Sequence, residues 1–279
     1  VQARLIGQKL GERLGQPVVI DNRPGADGVL ATNLAAKAEP DGYTLLLAAS
    51  PEVSIAPTTM KAMPYDPVRD LAPITLVGQV PFLLVVNPSV PATTLQEFIA
   101  YAKANPGKLN YSSFGNNTSN HLAGELFKSL TATHSVHIPY KGSGPSIIDL
   151  IGGQVQYTFD GPPAVLEQVR AGKLRALAVS GQHRLASAPQ VPTFAEAGLA
   201  GFSGGTWFGL FAPARTPPSV IEKVNAEAVA LLSAPELQKA FADKGIVASP
   251  QSPEQFGRFV QSEVAKWKDL AGKVGIVAE

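Results

Sequence analysis

The sequence predicts an α/β protein made of two domains, and three features support this prediction. Short apolar runs typical of strands alternate with amphipathic helical segments along most of the chain, which is the pattern of parallel sheets covered by helices. Clusters of Gly, Pro, Asn and Asp between these segments mark the turns. The length of 279 residues, of which 45% are hydrophobic, suits one large or two medium-sized domains.

The domain boundaries follow from the grouping of these segments. Residues 87 to about 205 contain a complete set of strands and helices, whereas the flanking segments lack an independent core. The simplest arrangement has a discontinuous first domain, residues 1–86 and 208–279, and a second domain, residues 87–207. Two crossing strands would join them, and a ligand cleft between two such domains is expected.

The chain opens inside a helical pattern. Val1, Leu5, Ile6, Leu10 and Leu14 repeat at helical spacing, with no capping residue and no strand before them. We therefore expect the natural precursor to extend upstream by a signal peptide, a strand and a Pro/Gly-rich loop.

Composition argues against several classes of protein. The formal net charge of +1 gives no electrostatic case for binding nucleic acid or an anionic membrane. The chain has no cysteine, which excludes a disulfide scaffold, a thiolate nucleophile and a thiolate metal site, and suits an oxidising compartment. No apolar run approaches the roughly 20 residues that a membrane span requires.

A candidate anion site lies in residues 110–130, which read NYSSFGNNTSNHLAGELFKSL. A strand ends at Ser113, a polar loop covers residues 114–118 (the anion loop), and a helix with leucines four residues apart follows. The first amides of a helix have no internal acceptor, and the helix dipole adds partial positive charge there. The loop contains no Lys or Arg, so amides and hydroxyls would hold an anion. The alternative is an ordinary helix capped by Thr118 or Ser119.

Further candidates stand at other strand ends and at a crossing between the domains. Ser50 ends an apolar strand, and ligands of open α/β sheets gather at the carboxyl ends of strands. Asp160 ends another strand and could accept a ligand ammonium or hydroxyl, or simply cap the next helix. Thr206 lies where the chain crosses back, beside Trp207, for which hinge packing is favoured over a role as a ligand platform. Lys141 offers a cation in a loop, although a solvated lysine is the usual outcome.

Catalytic and metal-binding motifs find little support. Residues 201–205 fit the G-x-S-x-G pattern, but a loop precedes Ser203 and a strand follows, which is the wrong context for a nucleophile elbow. His134 and His137 would face opposite sides of a strand-like segment and have no carboxylate neighbour. For His121, a structural hydrogen bond is the favoured role. We therefore expect no catalytic residue and no metal site.

Long motifs carry a resemblance to one family, and they occur in this order: GERLGQPVVIDNRPGADG, PDGYTLLLA, PYDPVRDLAPIT, HLAGELFKS, HIPYKGSGPSIIDLIGGQV, AGKLRALAVSG, VPTFAEAGL and WFGLFAPA. Over nearly its whole length the chain resembles the Bug (TctC-type) extracytoplasmic solute receptors of tripartite tricarboxylate transporters. The resemblance implies a type II periplasmic-binding-protein fold, with two α/β domains, two crossing strands and a closing ligand cleft. It also implies a small carboxylate ligand and usually no cofactor. The residues that match the family's carboxylate-binding loop are Ser113, Gly115, Asn116, Asn117 and Thr118.

The chain departs from the family pattern at the anion loop and at a strand end. The family loop often reads S-x-G-x-G-S, whereas here Asn117 replaces a glycine and Thr118 keeps a hydroxyl in place of Ser. Asn tolerates a left-handed backbone, so we expect the loop shape to persist. After Asp160 the chain has Gly161, whereas Asn is common there in the family. Because this strand end is expected to face the cleft, the resemblance leaves the ligand preference open.

Taken together, the sequence predicts a monomeric periplasmic solute-binding protein that is not an enzyme. It would capture a small organic carboxylate and deliver it to the membrane subunits of a tripartite tricarboxylate-type transporter, with no nucleic-acid partner. One rival is the effector-sensing domain of a transcription regulator, which would need a helix-turn-helix that neither terminus shows. The other is a serine hydrolase, which would need a nucleophile paired with a base.

Overall fold

The computed structural model describes residues 2–23, 25–276 and 278, which form two compact units. The first unit runs to Gln79 and also contains Trp207–Asp243 and the chain from Val247 onward, and the second contains Val80–Thr206 and Lys244–Ile246. Val1, which the apolar pattern places in the first helix, and Pro24, in a turn predicted for residues 21–28, lie outside the described residues.

The helices and strands alternate along the chain as the sequence predicts. The α-helices are α1 Gln2–Leu14, α2 Val29–Ala36, α3 Ala56–Thr59, α4 Leu95–Ala104, α5 Ser119–Thr131, α6 Ser143–Ile151, α7 Pro162–Arg170, α8 Pro218–Leu232, α9 Pro235–Ala242 and α10 Pro253–Val274. The strands are β1 Leu46–Ala49, β2 Leu71–Pro81, β3 Leu83–Val86, β4 Leu109–Ser113, β5 Ser135–Pro139, β6 Tyr157–Asp160, β7 Arg175–Val179, β8 Gly205–Pro213 and β9 Val247–Ala248. A short 3₁₀-helix, Ala26–Gly28, precedes α2, and a π-helix, Pro51–Ile55, precedes α3.

One sheet has the strand order β1-β8-β2-β9. Strand β1 pairs with β8 and β2 with β9, and both pairs are antiparallel, so the predicted parallel arrangement is wrong for them. Their partners are far apart in the chain, and local strand–helix alternation does not specify the direction of such pairs. The apolar run of residues 18–20, which by itself favours a buried strand, forms none, and Val19 is 86% exposed.

The other sheet has the strand order β5-β4-β6-β3-β7 and forms the frame of the second unit. Strand β4 is parallel to both β5 and β6, as the sequence predicts, whereas β3 is antiparallel to β6 and β7. Because β3 pairs inside this sheet, residues 80–86 belong to the second unit and not to the first domain as predicted. Trp207, predicted to lie in the second domain, belongs to the first unit.

Both faces of this sheet are buried, which fixes the strand ends in place. Alternate residues of β3 point to opposite faces, with Leu84 and Val86 on one side and Leu83 and Val85 on the other. Helices α4 and α5 supply Phe98 and other side chains to the first face, and α6 and α7 cover the second. Each fully buried aliphatic or aromatic side chain stabilises the fold by about 1.5–3 kcal/mol.

The close approach of α5 to the sheet generates a stability prediction. A Cβ atom on Gly124 would lie 2.2 Å from the Tyr111 ring, which is itself stacked on Tyr157 and packed at a tilt against His137. Although Ala favours a helix over Gly by about 1 kcal/mol, overpacking should dominate, so Gly124→Ala should lower the free energy of unfolding by about 1–3 kcal/mol. Chemical denaturation measures this value.

Gly272→Ala is the matched control, because a Cβ there, in helix α10, meets no atom within 4 Å. It should be neutral or stabilising by up to about 1 kcal/mol. Equal unfolding midpoints for Gly124→Ala and the parent would contradict the close contact between α5 and the sheet.

Candidate functional site

The candidate site lies at one edge of the second unit, where three neighbouring parallel strands end. Strand β4 ends at Ser113, which is level with Pro139 at the end of β5. On the other side of β4, Ser112 is level with Thr158, and β6 ends at Asp160. Because neighbouring strands lie about 4.8 Å apart, the anion loop, the loop after β5 and Asp160 share this edge.

Ser113 holds the start of the anion loop through its hydroxyl group. The Ser113 Oγ atom accepts a hydrogen bond from the Gly115 amide at 3.1 Å and lies 2.9 Å from the Gly115 carbonyl oxygen. It is also 2.5 Å from Nε2 of His137 on β5. The Ser113 side chain is fully buried and engaged within the protein, so it shapes the loop.

Asn120, in the first turn of α5, holds the rest of the loop. Its Oδ1 atom accepts from the Phe114 amide at 3.2 Å and from the Thr118 hydroxyl at 2.8 Å. The Thr118 hydroxyl is also 2.7 Å from the Gly115 carbonyl oxygen. This use of Asn120 was not predicted, because in the sequence it is an ordinary polar residue of a first helical turn.

The backbone of the loop has the predicted left-handed positions. Gly115 has φ 141°, and Asn117 has φ 60°, the conformation that Asn tolerates better than most residues. The Asn117 amide donates to Nδ1 of His121 at 3.0 Å. The expectation of a structural hydrogen bond for His121 is therefore confirmed.

The first amides of α5 are left without acceptors. Within the described residues, the amides of Thr118, Ser119 and Asn120 donate to no protein oxygen. Thr118 is the N-cap residue, but its side chain does not cap the helix, so the alternative of an ordinary capped helix is wrong. The Thr118 hydroxyl is bonded inside the loop, and the Ser119 hydroxyl lies 3.2 Å from the hydroxyl of Thr206. Nδ2 of Asn120 is also buried with no partner in the described chain. This group of donors can hold an anion.

Two stacked histidines lie beneath the loop. The rings of His121 and His137 are 3.9 Å apart, and burial is the main cause that lowers both pKa values, that of His137 to about 4. Neutral imidazole leaves Nδ1 of His121 free to accept the Asn117 amide. The pair therefore contributes loop shape and no positive charge at neutral pH.

Asp160 lies beside the loop as a buried carboxyl group. Its Oδ1 accepts from the Gly161 amide at 2.7 Å, and its Oδ2 accepts from the Ser143 hydroxyl at 2.5 Å. Burial is the main cause that raises its pKa to about 6, against the two hydrogen bonds, which lower it. Gly161, not Asp160, is the N-cap residue of α7, and no side chain caps that helix.

The remaining candidates lie elsewhere. Ser50, in the first unit, follows β1 directly, and its buried hydroxyl has no partner among the described residues. Trp207 packs against Phe256 and donates to Glu263, so its predicted packing role is confirmed. Lys141 is exposed.

The described residues give no support to an enzyme or a metalloprotein. Ser203 is exposed in a loop that leads into β8, which is not the strand–turn–helix context of a nucleophile elbow. In the part of the chain that the structure describes, no cluster of His, Asp and Glu could hold a metal ion. None of the described helices is both long and apolar enough to cross a bilayer.

A helix start without acceptors at a strand edge suits a protein that binds an anion, and comparison with known proteins gives the family of this chain. Residues 2–276 match the model of the tripartite tricarboxylate transporter family receptor. The chain therefore belongs to this family of receptors, and the resemblance found in the sequence is confirmed.

Individual relatives agree with this assignment. BugT of Bordetella pertussis is 39% identical over 276 residues, which are 99% of this chain and 85% of that protein. The structure of Rpa4515 from R. palustris with adipate is 35% identical with a TM-score of 0.82, covering 99% of this chain and 93% of that one. MatC (Rpa3494) from Rhodopseudomonas palustris with bound malate is 32% identical with a TM-score of 0.76, covering 96% and 92%. The predicted fold class is thereby confirmed.

The lowered pKa of His137 predicts a loss of stability in acid. The unfolded histidine binds a proton near pH 6.5 and the folded one only near pH 4, so the unfolded state holds more protons between these values. Acidification from pH 7.5 to 5.0 should therefore lower the free energy of unfolding of the parent. The contribution of a fully buried His137 would be up to about 2 kcal/mol. The partial exposure of the ring reduces this value.

Urea unfolding at both pH values tests this prediction. His137→Asn should lose less stability on acidification than the parent, whereas His134→Asn, which changes an exposed histidine next to the same strand, should behave like the parent. The same pH dependence in His137→Asn and the parent would show that His137 is not the responsible group.

Proposed function

We propose that this chain captures a small organic carboxylate and delivers it to the membrane subunits of a tripartite tricarboxylate-type transporter. The observation that carries the proposal is the set of donors at the start of α5, where three amides and Nδ2 of Asn120 have no acceptor in the described chain. A carboxylate supplies the acceptors and the negative charge that such a helix start favours. Relatives with bound adipate and malate support this choice of ligand.

The energetics are sufficient for a transport receptor. Hydrogen bonds to a charged group contribute about 1.5–3 kcal/mol each. Three or four such hydrogen bonds, after the free-energy cost of association is subtracted, give a binding free energy of about −8 kcal/mol, which corresponds to micromolar affinity. The donors are dipoles and residues 110–121 contain no Lys or Arg, so salt should weaken binding only mildly.

The loop residues then have two kinds of role. Ser113, Gly115, Asn117 and Thr118 hold the loop in shape, because their hydroxyls or backbone conformations are committed to it. Asn116 is exposed beside the free amides and is proposed to contact the ligand directly. Ser50, Asp160 and Thr206 are proposed as further ligand-binding residues.

The setting of this function is part of the same proposal. Membership in a family of transporter receptors and similarity to a periplasmic transporter protein support action in the periplasm. We further propose that the chain acts as a monomer, without a cofactor and without catalysis. An assay with ester substrates tests the catalytic alternative, since turnover that depends on Ser203 would favour a hydrolase.

Replacing Ser119 with proline tests how much a single backbone amide contributes to ligand binding. Proline is tolerated at the first helical position, and Thr118 before it already has the extended backbone that precedes proline, with φ −80° and ψ 162°. Ser119→Pro should thus delete one N–H donor without breaking α5 and weaken carboxylate binding by about 1.5–3 kcal/mol. A thermal-shift screen of mono-, di- and tricarboxylates selects the acid, and titration calorimetry measures its affinity.

Ser119→Ala is the matched control, because it removes the same hydroxyl and keeps the amide. It should bind clearly more tightly than Ser119→Pro. If both variants bind like the parent while Lys141→Ala abolishes binding, the anchor is the lysine loop and the proposed site is wrong.

A further inference from the structure

Asp160 is placed to act on the ligand beside its carboxylate. The register of β4 and β6 pairs Ser112 with Thr158, and the two parallel strands end close beyond this pair, β4 at Ser113 before the anion loop and β6 at Asp160. Asp160 is only 4% exposed. The free donors of α5 and the Asp160 carboxyl group therefore lie at the same strand edge. The first donate hydrogen bonds, and the second accepts them.

The carboxyl group of Asp160 keeps unused acceptor capacity. Two carboxylate oxygens offer about four acceptor positions, and the described chain fills one on each oxygen, from Ser143 and from the Gly161 amide. No ion pair in the described part of the chain includes Asp160. A buried carboxylate without a cation is costly unless further donors reach it.

A purely structural role does not account for this choice of residue. The starts of α6 and α7 adjoin Asp160 and offset part of its charge. An Asn could nevertheless satisfy the same two partners without any cost of burying charge, because its oxygen can accept from the Gly161 amide while its NH₂ group donates to the Ser143 hydroxyl oxygen. The raised pKa of the group agrees with an incomplete set of partners.

From this juxtaposition we infer that the ligand carries a hydrogen-bond donor, an ammonium or a hydroxyl group, which Asp160 accepts while the ligand carboxylate occupies the donors of α5. This inference rests on the proposed function and narrows its substrate class to amino or hydroxy acids. Asp160 is the residue that sets this specificity. A ligand that places a second carboxylate against Asp160 is rejected by like-charge repulsion and by the absence of donors.

Two matched ligand series test the inference by titration calorimetry at pH 7.5. The three-carbon series is propionate, lactate and alanine, and the four-carbon series is succinate, malate and aspartate, which differ only by hydrogen, hydroxyl or ammonium at one carbon. In at least one series, a donor-bearing acid should bind the parent about tenfold to a hundredfold more tightly than the unsubstituted acid. The hydroxyl and ammonium members show which donor is preferred.

Asp160→Asn should reduce that gap to less than about threefold, because the amide can still bond to Gly161 and Ser143 but loses the charge. Ser143→Ala, which keeps the carboxylate, and Glu167→Gln, which neutralises an exposed acid on α7, should both preserve the gap. A merely structural Asp160 would instead weaken all acids by the same factor.

The outcomes separate this inference from the proposed function. If propionate and succinate both bind the parent as tightly as their substituted partners, or if the gap survives in Asp160→Asn, the inference is overturned while carboxylate capture stands. If none of the six acids and no acid of the wider screen binds, the proposed function falls, and the inference falls with it.

Discussion

The second unit depends on a constraint that every α-helix shares: the first amides of α5 need acceptors that the helix itself cannot provide. In α4 and α10 this need is met locally by capping boxes, for example the one at Thr94 and Glu97. At α5 the side chains that could serve as caps are bonded elsewhere, with Thr118 and Asn120 committed to the loop and Ser119 close to Thr206. Under the proposed function, the ligand therefore supplies the acceptors for these amides.

This arrangement works only if the loop keeps its shape without a ligand. The sheet beneath it is buried on both faces, so the ends of β4, β5 and β6 are fixed relative to one another. Ser113 then holds the start of the loop to His137 on β5, and the backbone amide of Asn117 holds its end to His121 on α5. Preorganised donors of this kind hold charge at low reorganisation cost.

Much of this could be predicted from the sequence, because it depends on local patterns. Leucine spacing and the polar loop located α5 and the strand before it, and the tolerance of Asn for a left-handed backbone anticipated the conformation of Asn117. The antiparallel insertion of β3 could not be predicted, since its partners β6 and β7 lie far along the chain. The roles of Asn120 and His137 were missed for a related reason: each depends on which neighbours the fold brings close, and the local sequence does not specify those neighbours.

The aromatic stack on β4 links the core to the site. Tyr111 lies against α5 at Gly124 and packs at a tilt on His137, which stacks in turn on His121. The rings that fill the interior thereby end on the two imidazoles that hold the loop. A core substitution that moves either imidazole is consequently expected to change the geometry of the loop, even where the new side chain fills the same volume.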